Sequence, residues 1–299
     1  MSIIGVGTYG TLYDLDKYCI KIFKEGRDRS FFREFFNLVT LRKIIGVSEL
    51  HDILLPIDNN YYGLVFTKYK CTLKDWINNT KYSHTFNDKL EILKGIIEIL
   101  QQIHNSGFIH ADLKLENIML SFDNKVKIID WGLSGPIGHA LIKYTTDNYN
   151  SHKKLNHYSH DIYSLGIIFI EILLESVMYC RPNYHTYKKM LNSSNLPSAL
   201  ISLILSMIHP EIGKLPSINT VSKFLNIPIH NIDKSSLFKP LAIKNKISIF
   251  PSDFKNFLLA FPNKIDLIIF ISNIIYNIKE PLKSVNINDT YIYFTFITQ

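Results

Sequence analysis

Apolar positions along the chain recur at helical spacing in several long stretches. They fall on one face of a helix in residues 29–45 and again in residues 87–107. Residues 162–174 are apolar on nearly all sides, which is typical of a buried central helix. Helical patterns also cover residues 200–225 and 254–278. These patterns predict a chain whose second half is largely helical.

Extended, β-rich runs concentrate near the start of the chain. Residues 4–13 contain three glycines and lead into a second extended run over residues 13–23. Further strand-like runs cover residues 61–69 and 126–129, and residues 290–298 alternate as a strand does. The pattern therefore predicts strands first and helices later.

Length and composition fit one two-lobed domain or two small domains. The chain has 299 residues, of which 46% are hydrophobic and 20% are charged, with a net charge of +7. Lysines and arginines are scattered, which favours a solvated surface over a nucleic-acid-binding patch. No apolar run reaches the ~20 residues of a membrane span, and the N-terminus lacks the pattern of a secretory signal.

Three cysteines lie far apart in the sequence, at positions 19, 71 and 180. An odd number without a CxxC pair argues against a disulfide framework and against a structural zinc site. We therefore expect a reducing compartment and a cytoplasmic location.

The segment 108–133 carries most of the candidate chemistry. Asp112, Lys114 and Asn117 follow one another closely, and a short strand-like run then delivers Asp130. Phosphoryl transfer needs divalent cations held against phosphates and a carboxylate that orients the attacking hydroxyl. Mg²⁺ prefers oxygen ligands and keeps several waters, so one carboxylate and one amide oxygen suffice. We assign the metal to Asp130 and Asn117, the hydroxyl proton to Asp112, and charge neutralisation to Lys114.

This segment resembles the catalytic and metal-binding loops of eukaryotic-type protein kinases, H-R-D-x-K-x-x-x-N followed by D-F-G. The pattern is met at the following positions: His110, Asp112, Lys114, Asn117, Asp130 and Gly132. It is departed from at Ala111, where the family usually has Arg, and at Trp131, where it usually has Phe. The resemblance implies an α+β bilobal kinase fold with a β-rich N-lobe and a helical C-lobe.

The glycine-rich run IGVGTYG has two interpretations. Gly5, Gly7 and Gly10 match the spelling of a Rossmann fingerprint, but that motif should open a helix, whereas a second extended run follows here. A hairpin whose backbone lies over phosphates fits better. GTYG resembles the cyclin-dependent kinase group, which implies that Thr8 and Tyr9 are inhibitory phosphorylation sites.

The family resemblance assigns further nucleotide-binding residues. The run YCIKIFK is similar to the VAIK strand, with Cys19 at the Ala position and Lys21 as the phosphate-binding lysine. Glu34 lies among apolar residues of the predicted 29–45 helix, where a lone carboxylate needs a partner. It is assigned as the partner of Lys21, and Glu25 is the fallback.

Residues 61–69 resemble the hinge strand of kinases. Phe66 is assigned as the gatekeeper, and the hinge runs from Thr67 to Tyr69. An edge strand without a special role is the alternative. Leu12 and Met119 complete the implied nucleotide site.

The segment 133–149 corresponds to the activation segment. Thr146 matches the threonine that bonds the catalytic Asp and Lys, which favours Ser/Thr over Tyr specificity. Ala111 removes the usual receptor for a phosphorylated activation segment, so we expect activity that is independent of that phosphorylation. The family's Ala-Pro-Glu becomes Ser-His-Lys at 151–153, and Leu215 replaces its Arg partner. Because the whole buried pair is missing, we expect a repacked lobe.

The resemblance implies a kinase domain over residues 1–227, with an N-lobe over 1–68 and a C-lobe over 69–227. Asp161 matches the aspartate that fixes the catalytic loop. Residues 228–299 form a mostly helical accessory segment that packs on the C-lobe or presents an interface to a regulatory protein.

The sequence thus favours an ATP- and Mg²⁺-dependent Ser/Thr protein kinase acting on protein substrates, with no nucleic-acid or membrane partner. A pseudokinase scaffold and a small-molecule phosphotransferase of kinase-like fold stay open as alternatives. Frequent Ile, Asn and Lys indicate an AT-rich genome, compatible with a large DNA virus and host cytoplasm.

Overall fold

The computed structural model describes residues 1–54, 62–79, 83–137, 146–149, 157–178, 182–229, 282–287 and 292–296. Within these residues the chain divides into two units. Residues 1–43, 49–68, 282–287 and 292–296 belong to the first unit, and the described residues of 44–48 and 69–229 belong to the second.

The first unit contains a five-stranded antiparallel sheet in the order β1-β2-β3-β5-β4. Its strands are β1 (Ile3–Val6), β2 (Gly10–Leu15), β3 (Tyr18–Phe23), β4 (Leu50–Leu54) and β5 (Gly63–Thr67), and helix α1 (Asp28–Leu41) lies between β3 and β4 in sequence. The predicted extended run 13–23 is thus divided between two strands. The reason is a tight turn in which Asp16 adopts a φ of 64°.

Helix α1 packs one apolar face against β3 and β5. Phe31, Phe35 and Leu38 on this face are buried. The ring of Phe31 meets that of Phe23 edge-on at 5.5 Å between centroids. Burying each such side chain stabilises the fold by about 1.5–3 kcal/mol. The prediction that the helix extends to residue 45 was wrong, because α1 ends at Leu41 and Ile45 is 83% exposed.

The second unit is mainly helical. Its elements are β6 (Cys71–Thr72), α2 (Leu73–Asn78), α3 (Phe86–Asn105), β7 (Phe108–Ile109), β8 (Ile118–Leu120), β9 (Val126–Ile128), β10 (Gly135–Pro136), α4 (Ser159–Leu174), α5 (Tyr184–Asn192), α6 (Ser198–Met207) and α7 (Ile218–Phe224). Strands β6, β8 and β9 form one small antiparallel sheet, and β7 pairs with β10.

Helix α4 is the central element of the second unit. Its side chains are buried from Ser159 to Leu173, as the all-round apolar pattern predicted. Helix α3 packs on α4 and α7, and its first turn is fixed by a capping box between Thr85 and Asp88. The hydrogen bonds from Thr85 hold the pKa of Asp88 below its usual value. These two helices form the platform that carries the loops described below.

The C-terminal strands β11 (Leu282–Ile287) and β12 (Ile292–Phe296) pair with each other in antiparallel fashion. The strand predicted over residues 290–298 is therefore present. The predicted helix over 254–278 lies outside the described residues. Among the described helices, none is both long and apolar enough to span a bilayer.

Candidate active site

The glycine-rich run forms the antiparallel hairpin β1–β2. The turn is closed by a hydrogen bond from the Gly7 amide to the Gly10 carbonyl at 2.8 Å, and Gly5 pairs with Leu12 across the strands. A Cβ atom on Gly10 would lie 2.5 Å from the carbonyl oxygen of Ile22 on β3. Strand β3, and no helix, follows β2, so the hairpin interpretation is the correct one and the Rossmann interpretation is wrong.

Lys21 on β3 and Glu34 on α1 form the ion pair that the sequence predicted. The Lys21 Nζ lies 2.7 Å from Glu34 Oε2, with side chains 17% and 3% exposed. The carboxylate is almost completely buried, and the lysine compensates a charge that would be costly to bury alone. The fallback Glu25 is exposed in the turn before α1.

Four predicted nucleotide-binding residues form two cross-strand pairs in the sheet of the first unit. Leu12 pairs with Lys21 across β2 and β3, and Cys19 pairs with Phe66 across β3 and β5. Cys19 and Phe66 are buried. Burial raises the pKa of the Cys19 thiol to about 11, so it is protonated and apolar in character at neutral pH.

The predicted hinge residues lie on either side of the boundary between the units at residues 68 and 69. The Thr67 hydroxyl donates to Glu49 Oε2 at 3.1 Å, and its oxygen lies 2.6 Å from His51 Nε2. In the second unit Tyr69 is buried, and the predicted nucleotide-site residue Met119 is half-buried on β8. The predicted nucleotide-binding residues are therefore divided between the two units, and their roles stay predictions.

Asp112 is the centre of a hydrogen-bonded cluster in the second unit. Its Oδ2 atom lies 2.6 Å from Lys114 Nζ. Its Oδ1 atom accepts hydrogen bonds from the hydroxyl and the amide of Thr146 at 3.0 and 3.1 Å. Lys114 also donates to the Thr146 hydroxyl at 2.9 Å. The structure thus brings Thr146 onto the loop residues from which it is 34 and 32 positions away in sequence.

The buried carboxylate of Asp161 on α4 holds the backbone of the catalytic loop. It accepts the amide hydrogens of His110 at 2.8 Å and Ala111 at 2.9 Å, and His104 Nε2 lies 3.0 Å away. Burial alone would raise the pKa of Asp161, but the hydrogen bond with His104 and the nearby ring of His160, whose Nδ1 lies 3.9 Å away, lower it below the ordinary value. The sequence indicated Asp161 but missed His104, whose only signal was a polar residue on the buried side of α3.

The backbone segments that carry the two predicted metal ligands, Asn117 and Asp130, are hydrogen-bonded to each other. The Asn117 Nδ2 donates to the Asp112 carbonyl at 2.8 Å, so the amide oxygen of Asn117 is the atom that is left to act as a ligand. The amide of Ile129 donates to the Asn117 carbonyl at 2.9 Å. The residue before Asp130 is therefore a backbone neighbour of Asn117. One carboxylate and one amide oxygen fit Mg²⁺, which takes oxygen ligands and keeps waters.

Trp131 replaces the usual phenylalanine and is fully buried. Its indole N–H donates to the Ile128 carbonyl at 3.1 Å. Its ring meets that of His110 edge-on, with 4.8 Å between centroids. This hydrogen bond satisfies the buried indole N–H of Trp131, a donor that phenylalanine does not have.

A buried pair of Tyr149 and Glu171 supports the residues next to Thr146. The Tyr149 hydroxyl donates to Glu171 Oε2 at 2.7 Å, and the Met178 amide donates to Glu171 Oε1 at 2.9 Å. The Ser164 hydroxyl donates to the Tyr149 carbonyl at 2.9 Å. Burial raises the pKa of Glu171 to about 7. The sequence did not reveal this pair, and its available signal was a lone glutamate within the apolar α4.

The surroundings of Ala111 are apolar. Ala111 and Ile109 are fully buried, and Tyr158 packs against both. The residues 151–153 that depart from the family pattern lie outside the described residues, and Leu215 is half-buried.

The fold and these two clusters define the class of protein. A β-rich unit with a lysine–glutamate pair and a helical unit with the Asp112 and Asp161 clusters are features of the protein kinase fold. The chain matches the protein kinase domain over residues 1–254 and therefore belongs to this family. The predicted α+β kinase fold and the assignment to eukaryotic-type Ser/Thr kinases are confirmed. The helical C-terminal extension, the likeness to the cyclin-dependent kinase group and the viral origin stay predictions.

Curated relatives are kinases from distant organisms. The chain is 29% identical over 181 residues to a probable serine/threonine-protein kinase PLK of Dictyostelium discoideum, which covers 55% of this chain and 18% of that protein. It is 28% identical over 196 residues to a probable casein kinase II subunit alpha homolog of Encephalitozoon cuniculi, with 61% and 59% covered. It is 27% identical over 161 residues to a probable serine/threonine-protein kinase PknB of Lactococcus lactis, with 50% and 25% covered. The matched part thus spans less than two thirds of each relative.

Proposed function

We propose that this protein is an active Ser/Thr protein kinase that transfers the γ-phosphoryl group of ATP to protein hydroxyls. The observation that carries the proposal is the cluster of Asp112, Lys114 and Thr146, in which each side chain bonds the other two. This arrangement leaves a carboxylate next to a fixed ammonium group, which suits a group that accepts a hydroxyl proton beside a transferring phosphate.

Asp112 is the proposed catalytic base. It is only 6% exposed, and its bonds to Lys114 and Thr146 fix the plane of the carboxylate before a substrate arrives. Lys114 neutralises the charge that develops on the transferring group, because its ammonium is already held at this carboxylate. Thr146 orients both.

Asn117 and Asp130 would hold Mg²⁺, as the oxygen donor set described above allows. The ion, when bound, neutralises the phosphate charge and orients the phosphates. Lys21, positioned by Glu34, would bind the α and β phosphates, and the β1–β2 hairpin would lie over them. These roles follow from the family resemblance together with the Lys21–Glu34 pair.

The regulation proposed from the sequence also has support in the structure. Ala111 carries no charge and is buried in a cluster with Ile109 against which Tyr158 packs, so position 111 offers no cation to a phosphorylated activation segment. We propose that activity does not depend on that phosphorylation. Phosphatase treatment should leave the rate of substrate phosphorylation unchanged, and a large drop would contradict this proposal.

The main test is phosphoryl transfer by the purified chain. Incubation with γ-labelled ATP, Mg²⁺ and a generic protein substrate should give phosphoserine or phosphothreonine. Nucleotide binding without transfer would support the alternative of a pseudokinase scaffold.

Two variants separate the metal role from a general effect of removing a carboxylate. Asp130→Asn should abolish transfer because it removes the proposed metal ligand. Asp123→Asn is the matched control: Asp123 is 58% exposed in the β8–β9 turn and pairs with Lys125, so transfer should be unchanged. Transfer that survives Asp130→Asn would overturn the metal assignment.

A further inference from the structure

Residues 44–48 form a short strand-like segment on the outer edge of the small sheet in the second unit. In sequence they lie between α1 and β4, yet they belong to the second unit. Val47 forms a parallel bridge with Ile128 on β9. The Ile128 amide donates to the Gly46 carbonyl at 2.8 Å, and the Ser48 amide donates to the Ile128 carbonyl at 3.0 Å. We call residues 46–48 the clip.

The strand that the clip covers leads directly to the proposed metal carboxylate. Ile129, the residue before Asp130, donates its amide to the Asn117 carbonyl at 2.9 Å. Its carbonyl lies 3.0 Å from His110 Nε2. Both polar backbone atoms of Ile129 are thus bonded to the catalytic loop, which fixes one side of the strand end.

Ile128 fixes the other side. Its carbonyl oxygen accepts two hydrogen bonds, from the Ser48 amide at 3.0 Å and from the Trp131 indole at 3.1 Å. A carbonyl oxygen has two lone pairs, and both are used. The clip and the residue after Asp130 therefore meet at one atom.

The clip requires glycine at position 46. Gly46 has a φ of +103°, and a Cβ atom there would lie 2.3 Å from Cδ1 of Ile99 on α3. Val47 and Ser48, which follow, are buried. The close approach of the clip to α3 thus depends on the absence of a side chain.

Asp130 itself has a φ of 62°. A residue other than glycine adopts this conformation at a cost, and it persists where the surrounding structure over-determines it. The bonds at Ile128 and Ile129 are the contacts that hold the backbone immediately before Asp130.

We propose that the clip is a positioning element for the metal site: by pairing with Ile128, it holds the strand end that presents Asp130. The inference rests on the proposed function, in which Asp130 is a metal ligand. Residues that orient metal ligands typically contribute about 10–100-fold to metal affinity.

The variant Gly46→Ala tests this. Its Cβ atom would push the clip away from α3, so the Ile128 amide should exchange its hydrogen faster in the metal-free protein. Mn²⁺ binding in the presence of ADP, followed by electron paramagnetic resonance, should weaken by about tenfold. Turnover should fall at low Mg²⁺ and recover at high Mg²⁺, with the KM for protein substrate unchanged.

Gly107→Ala is the matched control. Gly107 also has a positive φ, +84°, but a Cβ atom there would meet nothing within 4 Å. It should lose stability through backbone strain, with unchanged exchange at Ile128 and unchanged Mn²⁺ affinity. If Gly46→Ala and Gly107→Ala bind Mn²⁺ equally and protect Ile128 equally, the inference is overturned.

The two proposals fail in different ways. If the wild-type chain binds Mn²⁺ with ADP but transfers no phosphate, the proposed kinase activity fails, while weaker Mn²⁺ binding by Gly46→Ala still supports the clip. If the wild-type chain binds no Mn²⁺ with ADP, the metal assignment and the clip's role are both overturned.

A second pair of variants applies if Gly46→Ala does not fold. Val47→Ala removes two methyl groups from the clip without backbone strain, and Val221→Ala removes the same groups from the buried side of α7. Only Val47→Ala should weaken Mn²⁺ binding. Equal affinities for the two would overturn the inference.

Discussion

The two units hold their proposed functional residues in different ways. In the first unit, Lys21 is positioned by an ion pair with Glu34 at 2.7 Å. In the second unit, Asp112 is the acceptor for the Lys114 ammonium and for the hydroxyl and amide of Thr146. In a buried pair, loss of one member leaves the other charge uncompensated. In the cluster, loss of Thr146 leaves Asp112 bonded to Lys114, whereas loss of Asp112 leaves only the bond between Lys114 and Thr146.

The central residue of the cluster should show the largest effect. Asp112→Asn replaces a carboxylate that accepts four hydrogen bonds by an amide that cannot accept a proton from the substrate hydroxyl. We expect kcat to fall by about 10²–10⁴-fold, the usual contribution of a general base, with nucleotide affinity unchanged. Steady-state kinetics and nucleotide titration measure the two. A loss of less than tenfold would contradict the role of Asp112.

In the first unit, the two members of the ion pair should differ in their cost. Lys21→Met removes the ammonium group that lies 2.7 Å from the nearly buried Glu34 carboxylate, so we expect a loss of about 3 kcal/mol in the free energy of unfolding. Glu34→Gln keeps an oxygen acceptor for Lys21, which is more exposed than Glu34. We therefore expect a loss of about 1 kcal/mol in the free energy of unfolding. Urea unfolding measures both, and Lys24→Met, at an exposed lysine just after β3, is the control. Equal losses for the two variants would show that burial of Glu34 does not matter.

The Tyr149–Glu171 pair should make stability depend on pH. Burial raises the Glu171 pKa from its ordinary 4.5 to about 7. Between these values the folded protein keeps a proton that the unfolded chain has lost, so stability is fully present below pH 4.5 and falls as pH rises to 7. The shift corresponds to roughly 3 kcal/mol. The other ionisable groups that act on Glu171 are Tyr149, Glu116 and Lys74.

Urea unfolding at several pH values tests this dependence. Glu171→Gln keeps the shape of the side chain and cannot ionise, so its stability should decline less than that of the wild type between pH 4.5 and 7. Parallel curves for the two proteins would contradict the raised pKa.

An outer member of the cluster should show the smallest effect. Thr146→Ala removes the hydroxyl bonds to Asp112 and Lys114, while the Thr146 amide and Lys114 still hold Asp112. We expect kcat to fall about tenfold, which corresponds to one charge-assisted hydrogen bond. Thr146→Ser should restore most of the rate, because it keeps the hydroxyl. A Thr146→Ala loss as large as that of Asp112→Asn would show that the cluster has no redundancy.

Motifs with short, fixed spacing could be predicted from the sequence because their residues are neighbours in the chain. Asp112, Lys114 and Asn117 lie on one loop, and the glycines of β1–β2 lie in one hairpin. Helix α4 could also be predicted, since its apolar residues on all sides require burial. The end of α1 could not be predicted, because the apolar spacing continues to Ile45. The chain instead leaves the helix after Leu41 and forms the clip on β9.

The sequence by itself therefore determined the chemistry that is available: a lysine, three oxygen-bearing side chains and a glycine hairpin in a family order. Only the tertiary structure decided which groups hold them. His104 contacts Asp161, which is 57 positions away in sequence. Tyr149 contacts Glu171, which is 22 positions away. Ser48 shares the Ile128 carbonyl with Trp131. Such contacts follow from how helices and strands pack, because a buried polar group must find a partner wherever packing brings one.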